Sequence, residues 1–484
     1  MINPFLHLEK SAKAHPERVA ISTVDADLTF AELLDSSVRI AKLLRDRGVT
    51  RGDTVGTHLP PIMDLVISEA LFHEACIGAQ IPADHPELVA DVFDWLIVGT
   101  AVAWFPPDRQ IVVDDEFMAN SSLVVAVPNP LKYESVHSLC RLSFTSGTTG
   151  VPKAIPVSID CMEDRALDRT SQWMPSRPYL CLLGLSTGLT FMSFYFHVFA
   201  GETFILAGQG PEVLDQIDRH GVTCLMASPF QLGVLLEDAR HDERGFDTVA
   251  TVMSAGSVLP DAIVTGLAER FDATILATYA STEAGSVAIR HGVGSINGLA
   301  GTLLPDVDVK IVGENFETLE DGSIGLVAIK RARQPQEYLD NSAATSEFFR
   351  DGYFLPGDLG YLDGRDLYLA GRASEVFNAA GVKVDPARVE AVAREFEGIT
   401  DAAVFGFTPA NGLQEICMFY TSRNPIDQAS LATLMHRRLH ETAPSKYVRV
   451  PSIARNHMGK VNRTQLAEQF ASIVVKSAKS EPQR

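Results

Sequence analysis

RLSFTSGTTGVPKAIPVS, Arg141 to Ser158, decides how this chain is read. It opens apolar. Thr145, Ser146, Gly147, Thr148, Thr149 and Gly150 then stand in succession, with Lys153 just beyond. Glycines let a loop turn its backbone N–H groups inward, and inward N–H groups form an anion nest. The hydroxyls add donors and Lys153 adds a positive charge. A helix starting just beyond the loop would point its positive end the same way. The pattern is phosphate-cradling chemistry, weighed against a plain small-polar surface loop. It is not a Walker A loop, because Lys153 falls six positions after Gly147 and is followed by Ala154.

Outward from this loop, short apolar runs alternate with helical patterns. TFILAG, VTCLMAS, TVATVMSAG and ATILATYAS read as strands, and PEVLDQIDRHG and PDAIVTGLAERF as helices between them. That alternation predicts an α/β domain with mainly parallel strands. Upstream, LTFAELLDSSVRIAKLLRDRGV predicts an amphipathic helix, with Thr29 and Glu32 at capping-box spacing and Gly48 suited to the stop. Past Gly301 the texture changes to short strands spaced by Gly and Asp turns, as in a small β subdomain. DPARVEAVAREFEGI then begins a new helix, with Asp385 as N-cap and Pro386 in the first turn. The expected fold class is α/β. A large N-terminal domain of α/β subdomains plus a small β subdomain spans 1–373, and a small mobile α+β C-terminal domain spans 374–484.

The chain has 484 residues, enough for two or three domains. Its 61 acidic residues against 41 basic ones give a formal charge of −20. Such a balance opposes general binding to nucleic acid or anionic membrane, while leaving room for a local basic site. Six scattered cysteines with no CxxC spacing suggest neither a zinc ribbon nor a redox pair, but buried thiols in a reducing compartment. The N-terminal segment has charges throughout and no apolar signal core, so a cytoplasmic protein is expected. YLCLLGLSTGLTFMSFYFHVFAG, Tyr179 to Gly201, carries no charged side chain over 23 residues. Gly184, Ser186, Thr187 and Gly188 interrupt it, which predicts a buried strand, a loop and a buried helix and no membrane span.

FTSGTTGVPKA resembles the signature loop of the adenylate-forming superfamily of acyl- and aryl-CoA synthetases, stand-alone adenylation domains and luciferases. YASTE (Tyr279–Glu283), GYFLPGDLGYLD (352–363), GRASEVFNAAGVKVDPARVE (371–390) and GKVNR (459–463) are similar to four further motifs of that superfamily, in its order. The resemblance covers essentially the whole chain. It is most like an acyl-CoA synthetase and implies a ligase that uses ATP and Mg²⁺ to convert a carboxylic acid to an acyl-adenylate. The acyl group then passes to a thiol, either CoA or a phosphopantetheinylated carrier protein.

By that resemblance, Thr145, Ser146, Gly147, Thr148, Thr149, Gly150 and Lys153 would hold the β- and γ-phosphates. Thr282 would donate to the α-phosphate, and Glu283 would hold Mg²⁺, a hard cation that needs such an oxygen. Asp358 would accept from the ribose hydroxyls, and Arg372 would reach the ribose and phosphate side. Ser254, Ala255, Gly256 and Tyr279 would line the adenine. Lys460 would carry adenylation from the mobile lobe, and Ser374 would be the hinge. Taken singly, Glu283 and Asp358 read as turn carboxylates, Lys460 as a surface charge and Arg372 as a salt-bridge partner.

Departures from the motifs are visible. Ala154 stands where Gly is usual, Leu355 and Pro356 where Arg-Thr is common, and Asn378 and Ala380 where many acyl-CoA synthetases have lysines. The last pair thins the charge expected near a CoA entrance. The acyl pocket is assigned to Ser186, Thr187, Phe191 and Gly256, although Phe191, Met192 and Phe194 also suit a core. Gly188 falls where amino-acid-activating domains carry an Asp. The stretch from Leu182 to Ala200 offers neither an acid nor a cation, so a neutral chain or ring is the expected substrate tail. Two rivals stay open: a ligase loading a separate acyl carrier protein, and a non-catalytic nucleotide- or acyl-binding homologue.

Overall fold

A computed structural model describes residues 3–82, 86–125, 128–145, 152–172, 178–185, 187–240, 242–257, 259–292, 298–373, 377–379, 382–407 and 415–455, with 461, 466 and 470. Ser146 to Gly150, Ser186, Ser374, Ala380 and Lys460 lie outside these described residues.

The alternating apolar runs form the parallel half of a 15-stranded sheet. Thr274–Ser281, Thr251–Ala255, Cys224–Ala227, Tyr179–Cys181, Phe204–Leu206 and Val19–Ser22 lie side by side in that order, every neighbouring pair parallel. Both faces of these strands are covered, which is why their sequences are almost uninterruptedly apolar. Beyond Thr274–Ser281 the sheet turns antiparallel through Gly285–His291, Leu299–Leu303 and Asp366–Arg372 to Asp358–Asp363. The β-rich region past Gly301 is thus continuous with the parallel strands. Gly301 holds that junction. It has φ +137, and a Cβ there would sit 2.1 Å from the Ile289 carbonyl carbon.

A second, six-stranded sheet runs Gln110–Val112, Trp95–Val98, Thr54–His58, Ile77–Gln80, Leu139–Thr145, Lys153–Ser158. The first five are parallel and the last is antiparallel. The main core takes side chains from both sheets, Val55 and Ile97 from one and Met253 and Val287 from the other, with Phe191 and Phe194 of the Gly188–Ala200 helix. That helix and Tyr179–Cys181 bear out the strand–loop–helix reading of the uncharged segment. No described helix is long and apolar enough to cross a membrane.

Local rules hold where side chains act on their own backbone. Thr29 and Glu32 close a reciprocal capping box on the Phe30–Asp46 helix. Asp385 caps the Pro386–Arg394 helix. One expectation fails. After the glycine-rich segment the chain forms a strand, Lys153–Ser158, with Lys153 opposite Thr145, and the next helix starts only at Ile159. Pro156, which lacks an N–H to give a further strand, suits this edge position of the sheet, so no helix dipole is added at the loop. Near the C-terminus, Ile399–Phe407, Glu415–Ser422 and Lys446–Arg449 form a separate three-stranded sheet. Val404, Met418, Leu431 and Met435 pack a core of their own there.

Candidate active site

In open α/β sheets, ligands bind outside the carboxyl ends of the strands, where backbone groups are not consumed by the ladder. Three parallel strands of the large sheet deliver their carboxyl ends to one side of it. Thr251–Ala255 runs into Gly256, which has φ +101. Thr274–Ser281 runs into Thr282 and Glu283, and Tyr179–Cys181 runs into Thr187 and Gly188. Thr187 caps the helix there by accepting from the Thr190 N–H. A Cβ on Gly188 would lie 3.3 Å from Thr282 Cγ2, so the missing side chain lets the helix N-terminus approach Thr282.

Glu283 is buried and accepts a hydrogen bond from the Tyr338 hydroxyl at 2.7 Å. Burial raises its pKa, opposed by the Tyr338 bond and by the charges of Arg165 and Lys153. Arg165 fixes the turn from behind, donating to the Thr282 carbonyl at 2.8 Å and to the Glu283 carbonyl. Lys153 is buried, its Nζ 3.8 Å from the Phe348 ring centroid and 5.4 Å from that of Tyr338. The aromatic rings therefore hold the ammonium on the Glu283 side of the strand. A single buried carboxylate with its charge only partly compensated fits Mg²⁺, which takes few protein oxygens and keeps the rest for water and phosphate.

Asp358 opens its strand directly opposite Arg372, the last residue of the paired strand. Arg372 Nε donates to Asp358 Oδ1 at 2.9 Å. The Tyr279 hydroxyl donates to Oδ2 at 2.5 Å. Burial raises the Tyr279 pKa well above its ordinary value, and the adjacent Asp358 carboxylate pushes the same way. Both Asp358 oxygens are thereby oriented.

The geometry thus gathers Lys153, Thr187, Tyr279, Thr282, Glu283, Asp358 and Arg372, with Ser254, Ala255 and Gly256 on the neighbouring strand end. Phe191 is fully in the core. Sequence reasoning missed Arg165 and Tyr338. Both lie outside the motifs, and a lone Arg in a polar helix or a Tyr in a turn gives no signal. It also missed Arg141, two residues before Ser143 on the Leu139–Thr145 strand. Arg141 is buried, its guanidinium carbon 3.2 Å from the Phe191 ring centroid. Desolvation lowers its pKa to about 10, against the charge of Asp64. The uncharged stretch from Leu182 to Ala200 therefore meets a cation supplied by another element.

The AMP-binding enzyme family model matches residues 8–72 and 97–339. With that match over a site of this geometry, the chain belongs to the AMP-binding enzyme family. It is 24% identical to the 2-succinylbenzoate–CoA ligase of Bacillus subtilis (strain 168), over 95% of this chain and 97% of that protein. It is also 24% identical to the fatty acid–[acyl-carrier-protein] ligase ScoC of Streptomyces coeruleorubidus, over 95% of each. The o-succinylbenzoate CoA synthetase (MenE) structure from Bacillus subtilis, with its acyl-adenylate intermediate, superposes with a TM-score of 0.82. It is 23% identical to this chain, over 96% of this chain and 98% of that one, and shares the fold.

Proposed function

We propose that the protein is an AMP-forming acid–thiol ligase that makes an acyl-adenylate from ATP and a carboxylic acid and passes the acyl group to CoA. The observation that carries this reading is the pair of carboxylates Glu283 and Asp358, each buried and each held by a tyrosine hydroxyl, on strand ends of the same large sheet. In the first half-reaction a substrate carboxylate oxygen bonds to the α-phosphorus of ATP, the bridge to the β-phosphate breaks, and pyrophosphate leaves. In the second, the thiolate sulfur bonds to the acyl carbon and AMP departs.

The physical difficulty is bringing an anion against a polyanion. Thr145 to Lys153 would bind the β- and γ-phosphates, and Thr282 would donate to the α-phosphate. Bound to Glu283, Mg²⁺ would neutralise charge on the phosphates. Asp358, its oxygens aimed by Tyr279 and Arg372, would accept from the ribose. Ser254 to Gly256 would flank the base. Residues 1–373 would form the substrate-binding body and 374–484 a mobile lobe turning at Ser374, bringing Lys460 in for adenylation and withdrawing it for thioester formation. The six cysteines are all buried and unpaired, which suits a cytoplasmic setting. The similarity to ScoC supports a second acceptor, a holo-carrier protein.

Lys460→Ala tests the two-step reading. Acid-dependent pyrophosphate release should fall by orders of magnitude, while thioester formation from pre-made acyl-adenylate survives. Equal loss of both half-reactions would remove Lys460 from adenylation. Supplying free CoA or a holo-carrier protein in the thioester assay decides the acceptor.

A further inference from the structure

The residues that would meet the α-phosphate and Mg²⁺ stand in a loop outside any strand ladder. Thr282, Glu283 and Ala284 join Thr274–Ser281 to Gly285–His291, whose pairing closes at Ser281 and Gly285. The backbone groups of this loop need partners of another kind, because buried carbonyls and N–H groups are costly when unmet. Ser281 Oγ accepts from the Ala284 N–H at 2.9 Å. One distant side chain takes two of the carbonyls. Arg165 Nη1 donates to the Thr282 carbonyl at 2.8 Å, and Nη2 donates to the Glu283 carbonyl.

A guanidinium is planar and offers its N–H groups as a rigid fork. Two carbonyls held by one fork are fixed relative to each other. They belong to the two peptide planes that flank the Glu283 Cα, and the first of these planes begins at the Thr282 Cα. The Thr282 hydroxyl and the Glu283 carboxylate are therefore aimed together. Arg165 is only 6% exposed, so water competes little for either carbonyl.

The position of Arg165 gives this contact a wider consequence. Its helix, Ile159–Gln172, directly follows the strand Lys153–Ser158. That strand sets Lys153 opposite Thr145 and so closes the hairpin around the glycine-rich segment. The hairpin belongs to the six-stranded sheet, whereas the Thr282–Glu283 loop belongs to the large one. Arg165 thus ties the phosphate-binding hairpin of one sheet to the loop of the other, 117 residues away in sequence.

We propose that Arg165 is a positioning residue for the first half-reaction, setting the Thr282 hydroxyl and the Glu283 carboxylate in register with the phosphate-binding hairpin. This rests on the ligase reading. The register matters most while the triphosphate and Mg²⁺ are bound. After pyrophosphate leaves, a single phosphate remains to be held. A loosened loop therefore slows adenylation more than thioester formation, whereas loss of a merely structural contact would slow both alike.

The experiment compares Arg165→Met and Arg165→Lys with wild type on the full chain. Lysine keeps the charge as a single point and loses the fork. Three quantities are read: acid-dependent pyrophosphate release, thioester formation from pre-made acyl-adenylate, and ATP affinity by calorimetry with and without Mg²⁺. In Arg165→Met, kcat for pyrophosphate release should fall by about ten- to a hundredfold, the range for losing a hydrogen bond to a charged group. The KM for the acid should change little, and thioester formation should fall far less. The tightening of ATP by Mg²⁺ should shrink toward none. Arg165→Lys should fall between Arg165→Met and wild type in each measure. If Arg165→Met does not fold, Arg165→Lys carries the same comparison. Equal loss in both half-reactions with the Mg²⁺ effect intact would overturn the positioning role. A wild type that releases no pyrophosphate with any acid would overturn the ligase reading alone. The Mg²⁺ effect on ATP affinity would then decide the role of Arg165, sustaining it if diminished in the variants and overturning it if unchanged.

Discussion

Tyr279 donates its hydroxyl proton to Asp358 at 2.5 Å, tying the end of a parallel strand to the start of an antiparallel hairpin 79 residues away. With Arg372 on the other oxygen, Asp358 is oriented before any ligand arrives. A carboxylate so fixed loses little freedom on accepting from a ribose, which is the advantage of preorganisation.

Asp358→Ala should therefore weaken ATP binding by roughly ten- to a hundredfold, since hydrogen bonds to a charged group are worth about 1.5–3 kcal/mol. Tyr279→Phe keeps the ring and the carboxylate and removes only the aim, so a smaller loss of about two- to tenfold is expected. Calorimetry on the folded variants measures both. Equal affinity in Asp358→Ala and wild type would take the ribose away from this residue.

Tyr338→Phe should move the pH response of the first half-reaction. The Tyr338 bond opposes the burial that raises the Glu283 pKa. Removing it raises that pKa further, so a higher pH is needed to generate the carboxylate that binds Mg²⁺. The acid limb of pyrophosphate release should shift upward in pH, and half-saturating Mg²⁺ should rise near that limb. A profile that superposes on wild type would separate Tyr338 from the reaction.

Gly301→Ala should destabilise the junction between the parallel and antiparallel parts of the large sheet. The added Cβ would meet backbone, not a flexible side-chain end, and φ is +137. Relief needs the paired strands to part, so a loss of about 3 kcal/mol or more is expected, at the upper end of overpacking costs. Urea unfolding would show it as a lower midpoint. An unchanged midpoint would mean the strand register shifts freely there.

These cases mark what the sequence can show. Capping residues, parallel strands and the carboxylates in Tyr279–Glu283 and 352–363 are legible because each is encoded by neighbours a few positions apart. The Glu283–Tyr338 bond and the Arg141–Phe191 stack are not. They depend on which strands adjoin and in what register, which no local period specifies. Arg141 in RLSF and Asp64 in PPIMDLVIS read as interruptions of apolar runs until the Pro61–His73 helix packs on the six-stranded sheet and the two charges couple. The strand at Lys153–Ser158, where a helix was expected, was settled by pairing with Leu139–Thr145.

Glu69, on the same helix as Asp64, gives a prediction about stability alone. Neither of its carboxylate oxygens has a hydrogen-bond partner, and burial pushes its pKa up to about 8 from 4.5. In the unfolded chain the group loses its proton near 4.5, while in the folded protein it keeps it until about 8. Between those values the folded state holds the extra proton, so stability falls as pH rises. The contribution is whole below pH 4.5 and is lost progressively as pH climbs through about 8. Glu69→Gln has nearly the same shape and no proton to lose. Urea unfolding at mildly acidic, neutral and mildly alkaline pH should show the wild type weakening across the series more steeply than the variant. The variant should be the more stable of the two at the alkaline end. Parallel pH dependences would mean that Glu69 ionises alike in both states and that its burial is relieved by solvent.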